Sequence, residues 1–168
     1  MGTLLNRTVL AQCSAVQACL QCGVGTFANS TNSTECTPCE AGKFTSAQGT
    51  EQCSPCPLGR FTAGTGAVIC QACPVGLFAN ETGLAVCTKC GPGSFQDETG
   101  QSVCKQCPLG TANSATGQLS CARCPDGSLA NATGQQTCTL CGPGTFSKSS
   151  GSQGPTECTP CANGTFNG

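Results

Sequence analysis

Hydrophobic and polar positions along this chain repeat every 17 residues, not with the 3.6-residue period of an amphipathic helix. Each repeat reads C-x-x-G-x-F-x-x-x-x-G-x-x-x-C-x-x, and all seven Phe lie two residues after the first glycine. The first half predicts a short extended arm, the second glycine a turn, and the last segment a returning arm. The pattern therefore predicts a small irregular β-hairpin in every repeat and almost no helix.

Departures from this pattern are few. Ala112 and Leu129 stand where the other copies have Phe, and Asn32 replaces the second glycine in the first copy. Asn is the residue that best tolerates a left-handed backbone after Gly, which predicts a positive φ at the second-glycine position. Three extra residues lie within SKSSGSQGPTE, so the last full copy has 20 residues.

The composition indicates that these hairpins are cross-linked. The chain has 19 Cys among 168 residues, with no Trp, Tyr or His. Such a chain cannot build a conventional core and must rely on cross-links or metals. A net charge of −1 provides no basic patch for nucleic acid or for an anionic membrane. Without histidine or a paired-carboxylate motif an enzyme is not expected, and Asp97 and Glu98 are interpreted as a solvated turn rather than a calcium site.

The cysteines allow two interpretations, zinc ribbons or disulfides, because C-x-x-C pairs separated by 13 residues suit both. Consecutive, evenly spaced pairs favour disulfides, and so do the N-glycosylation sequons. About two of the eight Asn would precede x-Ser/Thr by chance, but six do. Glycans and stable disulfides both belong to the secretory route, so an extracellular glycoprotein without cofactors is expected. The six predicted glycosylation sites are Asn6, Asn29, Asn32, Asn80, Asn131 and Asn163.

The expected pairing joins the second cysteine of one C-x-x-C to the first cysteine of the next. A bridge inside C-x-x-C is the alternative, but such tight rings are typically strained and catalytic. Each 15-residue loop should stabilise the fold by about 3 kcal/mol. The expected bridges are Cys22–Cys36, Cys39–Cys53, Cys56–Cys70, Cys73–Cys87, Cys90–Cys104, Cys107–Cys121, Cys124–Cys138 and Cys141–Cys158.

Three cysteines remain outside these loops: Cys13, Cys19 and Cys161. Residues 1–18 are interpreted as a partial repeat and an irregular linker, 19–160 as the tandem array, and 161–168 as the first half of a further repeat. Cys13 and Cys19 could form a local bridge, and Cys161 could pair with Cys13 of another copy, head to tail. The alternative is that the sequence is a segment of a longer chain.

The loops that begin C-P-x-G-x-F and close with a cysteine at this spacing resemble the ephrin-receptor-like cysteine-rich repeat. They are also similar to the A-type modules of tumour necrosis factor receptors. The resemblance covers about residues 19–168. It implies an extracellular rod of sequential disulfide loops, and similar arrays occur in surface and filament glycoproteins of protists and algae.

The fold expected is therefore a small disulfide-rich repeat: an elongated rod of stacked irregular β-hairpin loops, with each Phe packed on its own disulfide and on the next repeat. The function expected is that of a structural extracellular rod, stalk or filament subunit. Its partners would be other copies of itself, assembled end to end or laterally, or other surface glycoproteins, with no nucleic acid and no membrane contact within this segment. The alternative is a ligand-binding ectodomain of a cell-surface receptor, which the absence of Tyr and Trp anchors disfavours.

Overall fold

The structure, a computed structural model, describes residues 20–30, 33–149 and 154–163. Its regular elements are sixteen two-residue strands, and no helix occurs within these ranges. They form eight antiparallel hairpins: β1 (Thr26–Phe27) with β2 (Thr37–Pro38), β3 (Lys43–Phe44) with β4 (Ser54–Pro55), β5 (Arg60–Phe61) with β6 (Gln71–Ala72), β7 (Leu77–Phe78) with β8 (Thr88–Lys89), β9 (Ser94–Phe95) with β10 (Lys105–Gln106), β11 (Thr111–Ala112) with β12 (Ala122–Arg123), β13 (Ser128–Leu129) with β14 (Thr139–Leu140), and β15 (Thr145–Phe146) with β16 (Thr159–Pro160).

Every hairpin uses the same register, and each repeat is named here by the cysteine that opens its loop. In the Cys39 repeat, Lys43 pairs with Pro55 and Phe44 with Ser54. The carbonyl of the first glycine then accepts a hydrogen bond from the second cysteine of the next C-x-x-C, as Gly42 does from Cys56 at 2.8 Å. The predicted β-hairpin is therefore confirmed in the eight repeats that open at Cys22 through Cys141.

Disulfides join the two ends of the loops in the pairing expected from the sequence. The Cα–Cα distances lie between 5.5 and 5.8 Å, which is usual for a disulfide. Cys73 and Cys87 are disulfide-bonded as well. The opening cysteine of seven loops is 0 to 5 % exposed, so sulfur occupies the centre of each repeat. The other bridges are Cys22–Cys36, Cys39–Cys53, Cys56–Cys70, Cys90–Cys104, Cys107–Cys121, Cys124–Cys138 and Cys141–Cys158.

The phenylalanines are not the most buried residues of the repeat, and their packing on the disulfide and on the next repeat stays a prediction. Phe27, Phe78 and Phe95 are half-buried, and Phe146 is 40 % exposed. The residue after the Phe position is buried instead. It is Thr45, Thr62, Ala79, Gln96, Ala130 or Ser147 in six of the repeats.

Backbone hydrogen bonding explains why that residue is buried. The Thr45 carbonyl accepts from the N–H of Gly25 in the preceding repeat at 2.8 Å, and the Thr45 N–H donates to Ala67 in the following repeat at 3.1 Å. A residue whose two backbone groups are bonded to neighbours on both sides must lie between them. Its side chain must therefore be small, or its polar atoms must form hydrogen bonds nearby. Gln96 is of the second kind, since its Nε2 donates to the Val103 carbonyl at 2.7 Å.

A further backbone bond fixes each repeat on the one before it. The N–H of the second glycine donates to the carbonyl of the preceding repeat's opening cysteine, as Gly83 does to Cys56 and Gly117 to Cys90, both at 2.8 Å. The positive φ expected at the second glycine is confirmed, with values from 67° to 78°. The glycines concerned are Gly49, Gly66, Gly83, Gly100, Gly117 and Gly134.

The Cys141 repeat uses a different glycine at this position. The sequence pattern points to Gly151, which lies outside the described residues. In the structure Gly154 takes the equivalent place, because it lies against Gly110 as Gly134 lies against Gly93. A Cβ added to Gly110 would be 2.9 Å from the Cα of Gly154. A Cβ added to Gly93 would be 2.9 Å from the carbonyl carbon of Gly134. The three additional residues of this repeat therefore precede Gly154.

Contacts group the chain into two compact bodies. The first body comprises the residues up to Ala72 together with Glu81–Cys87, and the second comprises Cys73–Asn80 together with the residues from Thr88 onward. The backbone bonds between successive repeats occur within each body. The proposed linker at residues 1–18 lies outside the described residues, as do Cys13 and Cys19.

Candidate functional site

Four of the predicted glycosylation asparagines have described positions, and all four are exposed. Asn29, Asn80 and Asn131 share one place in the repeat, directly after the residue that follows the Phe position, where the chain leaves the first strand for the turn. Asn163 is exposed near the end of the described chain. Side-chain amides at these places are reachable from solvent, as a glycan acceptor must be. Asn6 and Asn32 lie outside the described residues.

Cys161 has a free thiol and is half-buried. Its N–H donates to the Gly144 carbonyl at 2.8 Å, so its backbone takes the same place as an opening cysteine such as Cys56, which donates to Gly42. The structure describes no partner for this thiol, and its proposed pairing with Cys13 of another copy stays a prediction.

The disulfides argue against the zinc interpretation, because a sulfur in a disulfide cannot act as a thiolate ligand. All cysteines in the described ranges other than Cys161 are disulfide-bonded. Within those ranges no cluster of three His, Cys, Asp or Glu is arranged to hold a metal, and no helix could span a membrane.

Charged side chains form one small cluster in the Cys90 repeat. The Lys105 ammonium donates to Asp97 at 2.7 Å and to Glu98 at 2.8 Å. The hydrogen bond from Lys105 lowers the pKa of Asp97, with a smaller lowering from a backbone hydrogen bond, and the two carboxylates raise the pKa of Lys105. The stretch interpreted as a solvated turn is thus neutralised in part by a lysine from the returning arm of its hairpin.

A second carboxylate, that of Asp126, contacts Ser149 of the Cys141 repeat. Asp126 Oδ1 accepts from the Ser149 N–H at 2.8 Å and from the Ser149 hydroxyl at 3.0 Å. The backbone hydrogen bond is the largest cause of a lowered pKa at Asp126, followed by the hydroxyl. This contact was not predicted from the sequence, since the two residues belong to different repeats.

A pocket of about 510 Å³ lies beside Ala112, in the second body. Its walls come from the Cys107 repeat and from the returning arm of the following repeat, which supplies Gln136 and Thr137. Ala112 itself is 6 % exposed and belongs to an apolar cluster with Cys124 and Ala130. Ala112 is a departure from the Phe pattern of the sequence, but that pattern does not predict a pocket.

Polar side chains make up most of the lining of this pocket. Asn113 donates from Nδ2 to the Ser94 carbonyl at 2.9 Å, whereas its Oδ1 is buried with no hydrogen-bond partner among the described residues. Arg123 also lines the pocket, on strand β12. The surroundings are therefore suited to binding rather than to acid–base chemistry.

One family model matches the chain, and a search of curated proteins found no match. The family is described as tyrosine-protein kinase ephrin type A/B receptor-like, and its model matches residues 25–73, 42–83, 76–117 and 110–158. The overlapping matches follow the hairpin repeats and together extend over most of the chain. The family is a disulfide-rich repeat rather than a class of enzymes. With its tandem disulfides and glycine-bounded hairpins, the chain belongs to the ephrin-receptor-like cysteine-rich repeat family.

Proposed function

We propose that this chain is a structural extracellular glycoprotein, acting as a rod-like stalk, spacer or filament subunit. The observation that carries the proposal is the recurring backbone bonding between successive repeats within each body. Because the same atoms bond at each step, adding a repeat extends the array without needing a new core. Buried disulfides supply the cross-links that a chain with so few large apolar residues requires.

The disulfides and the family support an extracellular or cell-surface location, since stable disulfides persist in oxidising compartments. Exposed sequon asparagines are consistent with passage through the secretory route. The fixed position of Asn29, Asn80 and Asn131 would place glycans at the turn, away from the bonded edges of the repeat.

Secretion of the whole chain from a eukaryotic host, followed by small-angle scattering, tests this function. Nine stacked repeats should give a maximum dimension of roughly 90–130 Å, taking about 10 Å per packed layer. Deleting residues 88–104, one full period that leaves the cysteine spacing intact, should shorten the particle by about 10 Å. A compact particle whose dimension is insensitive to this deletion would contradict a spacer.

A ligand-binding ectodomain is the second candidate, and the pocket beside Ala112 is the observation that favours it. A volume of about 510 Å³ lies within the range of small-molecule and side-chain pockets. The two functions separate experimentally: a spacer tolerates deletion of the Cys107 repeat with loss of length only, whereas a receptor would lose binding of its ligand.

A further inference from the structure

Hydroxyl side chains are concentrated at one exposed position of the hairpin, the residue directly after the closing cysteine. Ser and Thr make up about a fifth of the chain, so about two of the eight hairpins would carry a hydroxyl there by chance, whereas five do. All five residues are exposed, and their hydroxyls form no hydrogen bond within the described ranges. They are Thr37, Ser54, Thr88, Thr139 and Thr159.

A second row of hydroxyls has a structural reason that the first row lacks. In five repeats the residue before the Phe position donates from its hydroxyl to the carbonyl three residues earlier, as Thr111 does to Pro108 at 2.7 Å. These hydroxyls stabilise the turn that follows the opening cysteine. The position after the closing cysteine does not require a hydroxyl for the strand, because Gln71 and Lys105 stand there in other hairpins. Its recurring hydroxyls are therefore not explained by the packing of the repeat.

In four hairpins the exposed hydroxyl lies opposite a phenylalanine. Directly opposed residues of antiparallel strands direct their side chains to the same face. Three of these phenylalanines are half-buried and Phe146 is 40 % exposed, so each hairpin presents apolar ring surface beside a hydroxyl. Thr139, the fifth residue, lies opposite Leu129 instead. The four pairs are Phe27–Thr37, Phe44–Ser54, Phe78–Thr88 and Phe146–Thr159.

We propose that the four hydroxyls opposite phenylalanine carry O-linked sugars that pack on the neighbouring rings. In the transfer, the hydroxyl oxygen attacks the anomeric carbon of a sugar activated as a nucleotide diphosphate. A bond forms between the oxygen and the anomeric carbon, the bond from that carbon to the phosphate oxygen breaks, and the nucleotide leaves with the electron pair. The hydroxyl proton passes to a basic group of the transferase.

A sugar suits this place because it combines an apolar face of C–H groups with an edge of hydroxyls. The C–H groups can cover the electron-rich face of the phenyl ring while the sugar hydroxyls stay in water. The attachment point is held in place beforehand, since Thr88 lies between the disulfide-bonded Cys87 and Cys90. The inference goes beyond the spacer function, because a spacer and a receptor ectodomain could both carry such sugars.

Mass spectrometry of the whole chain, secreted from eukaryotic cells and freed of N-glycans by enzyme, tests the inference. The mass should exceed that of the oxidised polypeptide by at least one sugar unit per site, and fragmentation should place the sugars on the four hydroxyls opposite phenylalanine. Thr111, whose hydroxyl is bonded within the repeat, should be bare. Four bare sites, or an occupancy of Thr111 equal to theirs, would overturn the proposal.

Matched variants separate the attachment site from the ring. Thr88→Val keeps the shape of the side chain and should remove one glycan, whereas Thr111→Val should leave the glycan mass unchanged. Phe78→Leu keeps the Thr88 hydroxyl, and in nuclear magnetic resonance the sugar protons at Thr88 should lose the upfield ring-current shift that they show in the wild type. Protection of the Cys90 amide, bonded to Gly76 at 3.0 Å, reports that the Thr88 and Phe78 variants have folded. Unchanged glycan mass in Thr88→Val, or sugar protons with no upfield shift in the wild type, would overturn the proposal.

Discussion

Gly42 and Gly83, which belong to repeats two steps apart in the first body, lie backbone against backbone. A Cβ on Gly42 would be 2.8 Å from the carbonyl carbon of Gly83 and closer still to its oxygen. Repeats are therefore in contact with their second neighbours as well as their first. Glycine is needed here for two reasons, since Gly42 also has a φ of +82°.

Gly42→Ala should destabilise the first body by about 2–4 kcal/mol, combining strain at positive φ with an overlap that only a backbone shift can relieve. Gly127→Ala is the matched control, because Gly127 has a φ of +84° and no atom of the described chain within 4 Å of an added Cβ. It should cost about 1–2 kcal/mol from φ alone. Hydrogen exchange at the Gly83 amide and at the Cys141 amide measures the two effects locally. An equal loss of protection in the two variants would show that the close contact between Gly42 and Gly83 contributes nothing to stability.

Removing one disulfide should loosen its own repeat and the first and second neighbours that contact it, and leave more distant repeats protected. The double variant Cys90→Ala/Cys104→Ala leaves no unpaired thiol and removes about 3 kcal/mol of loop-closure stabilisation. Exchange should rise at the Gly117 amide, which bonds to Cys90, and remain unchanged at the Gly42 amide in the first body. Uniform loss of protection along the chain would instead indicate one cooperative unit.

Much of the fold could be predicted because it is covalent or local. The hairpin, the cysteine pairing and the positive φ of glycines such as Gly66 all follow from residues within one period. Burial did not follow, because the pattern of large residues points to Phe44 whereas the backbone bonds bury Thr45. A threonine between a strand and a turn carries no hydrophobic signal, so its position inside the stack was visible only in the structure.

Contacts between repeats were the other part that could not be predicted. A glycine occurs at the Gly42 position of every repeat. Nothing in the 17-residue pattern, however, indicates that Gly42 contacts Gly83 rather than a residue of the next repeat. Similarly, Ala112 was noted as a departure from the Phe pattern, but nothing in the sequence indicates that a pocket lies beside it. Both features depend on how one repeat is placed against the next. No short segment of the sequence determines that placement.

N-glycans should be present on Asn29, Asn80 and Asn131 when the chain is secreted from eukaryotic cells, because each is an exposed sequon at the start of a turn. Replacing each Asn by Gln should remove one glycan mass per site in intact mass spectrometry. Asn113→Gln is the control, since Asn113 is not in a sequon and should not change glycan mass. Secreted protein with all three sites bare would contradict the glycoprotein interpretation.

Acid should weaken the contact between Asp126 and Ser149 of the Cys141 repeat. The Ser149 N–H and hydroxyl bonds lower the pKa of Asp126 below its ordinary value of 3.8, and a carboxylate with a folded-state pKa below the unfolded value stabilises the fold above that unfolded value. This contribution is lost as the pH falls through the folded pKa. The contact should therefore hold from neutral pH down to about pH 4 and weaken below it.

The Ser149 amide resonance reports this titration directly, since its N–H donates to the Asp126 carboxylate. Between pH 6 and pH 2 its shift should follow a single ionisation with a midpoint below 3.8. Asp126→Asn should abolish the titration. Ser149→Ala should leave it in place with a midpoint moved upward, because the variant removes the hydroxyl donor and keeps the backbone donor that contributes most. A midpoint at or above 3.8 in the wild type would show that the carboxylate gains nothing from Ser149, which would contradict the prediction.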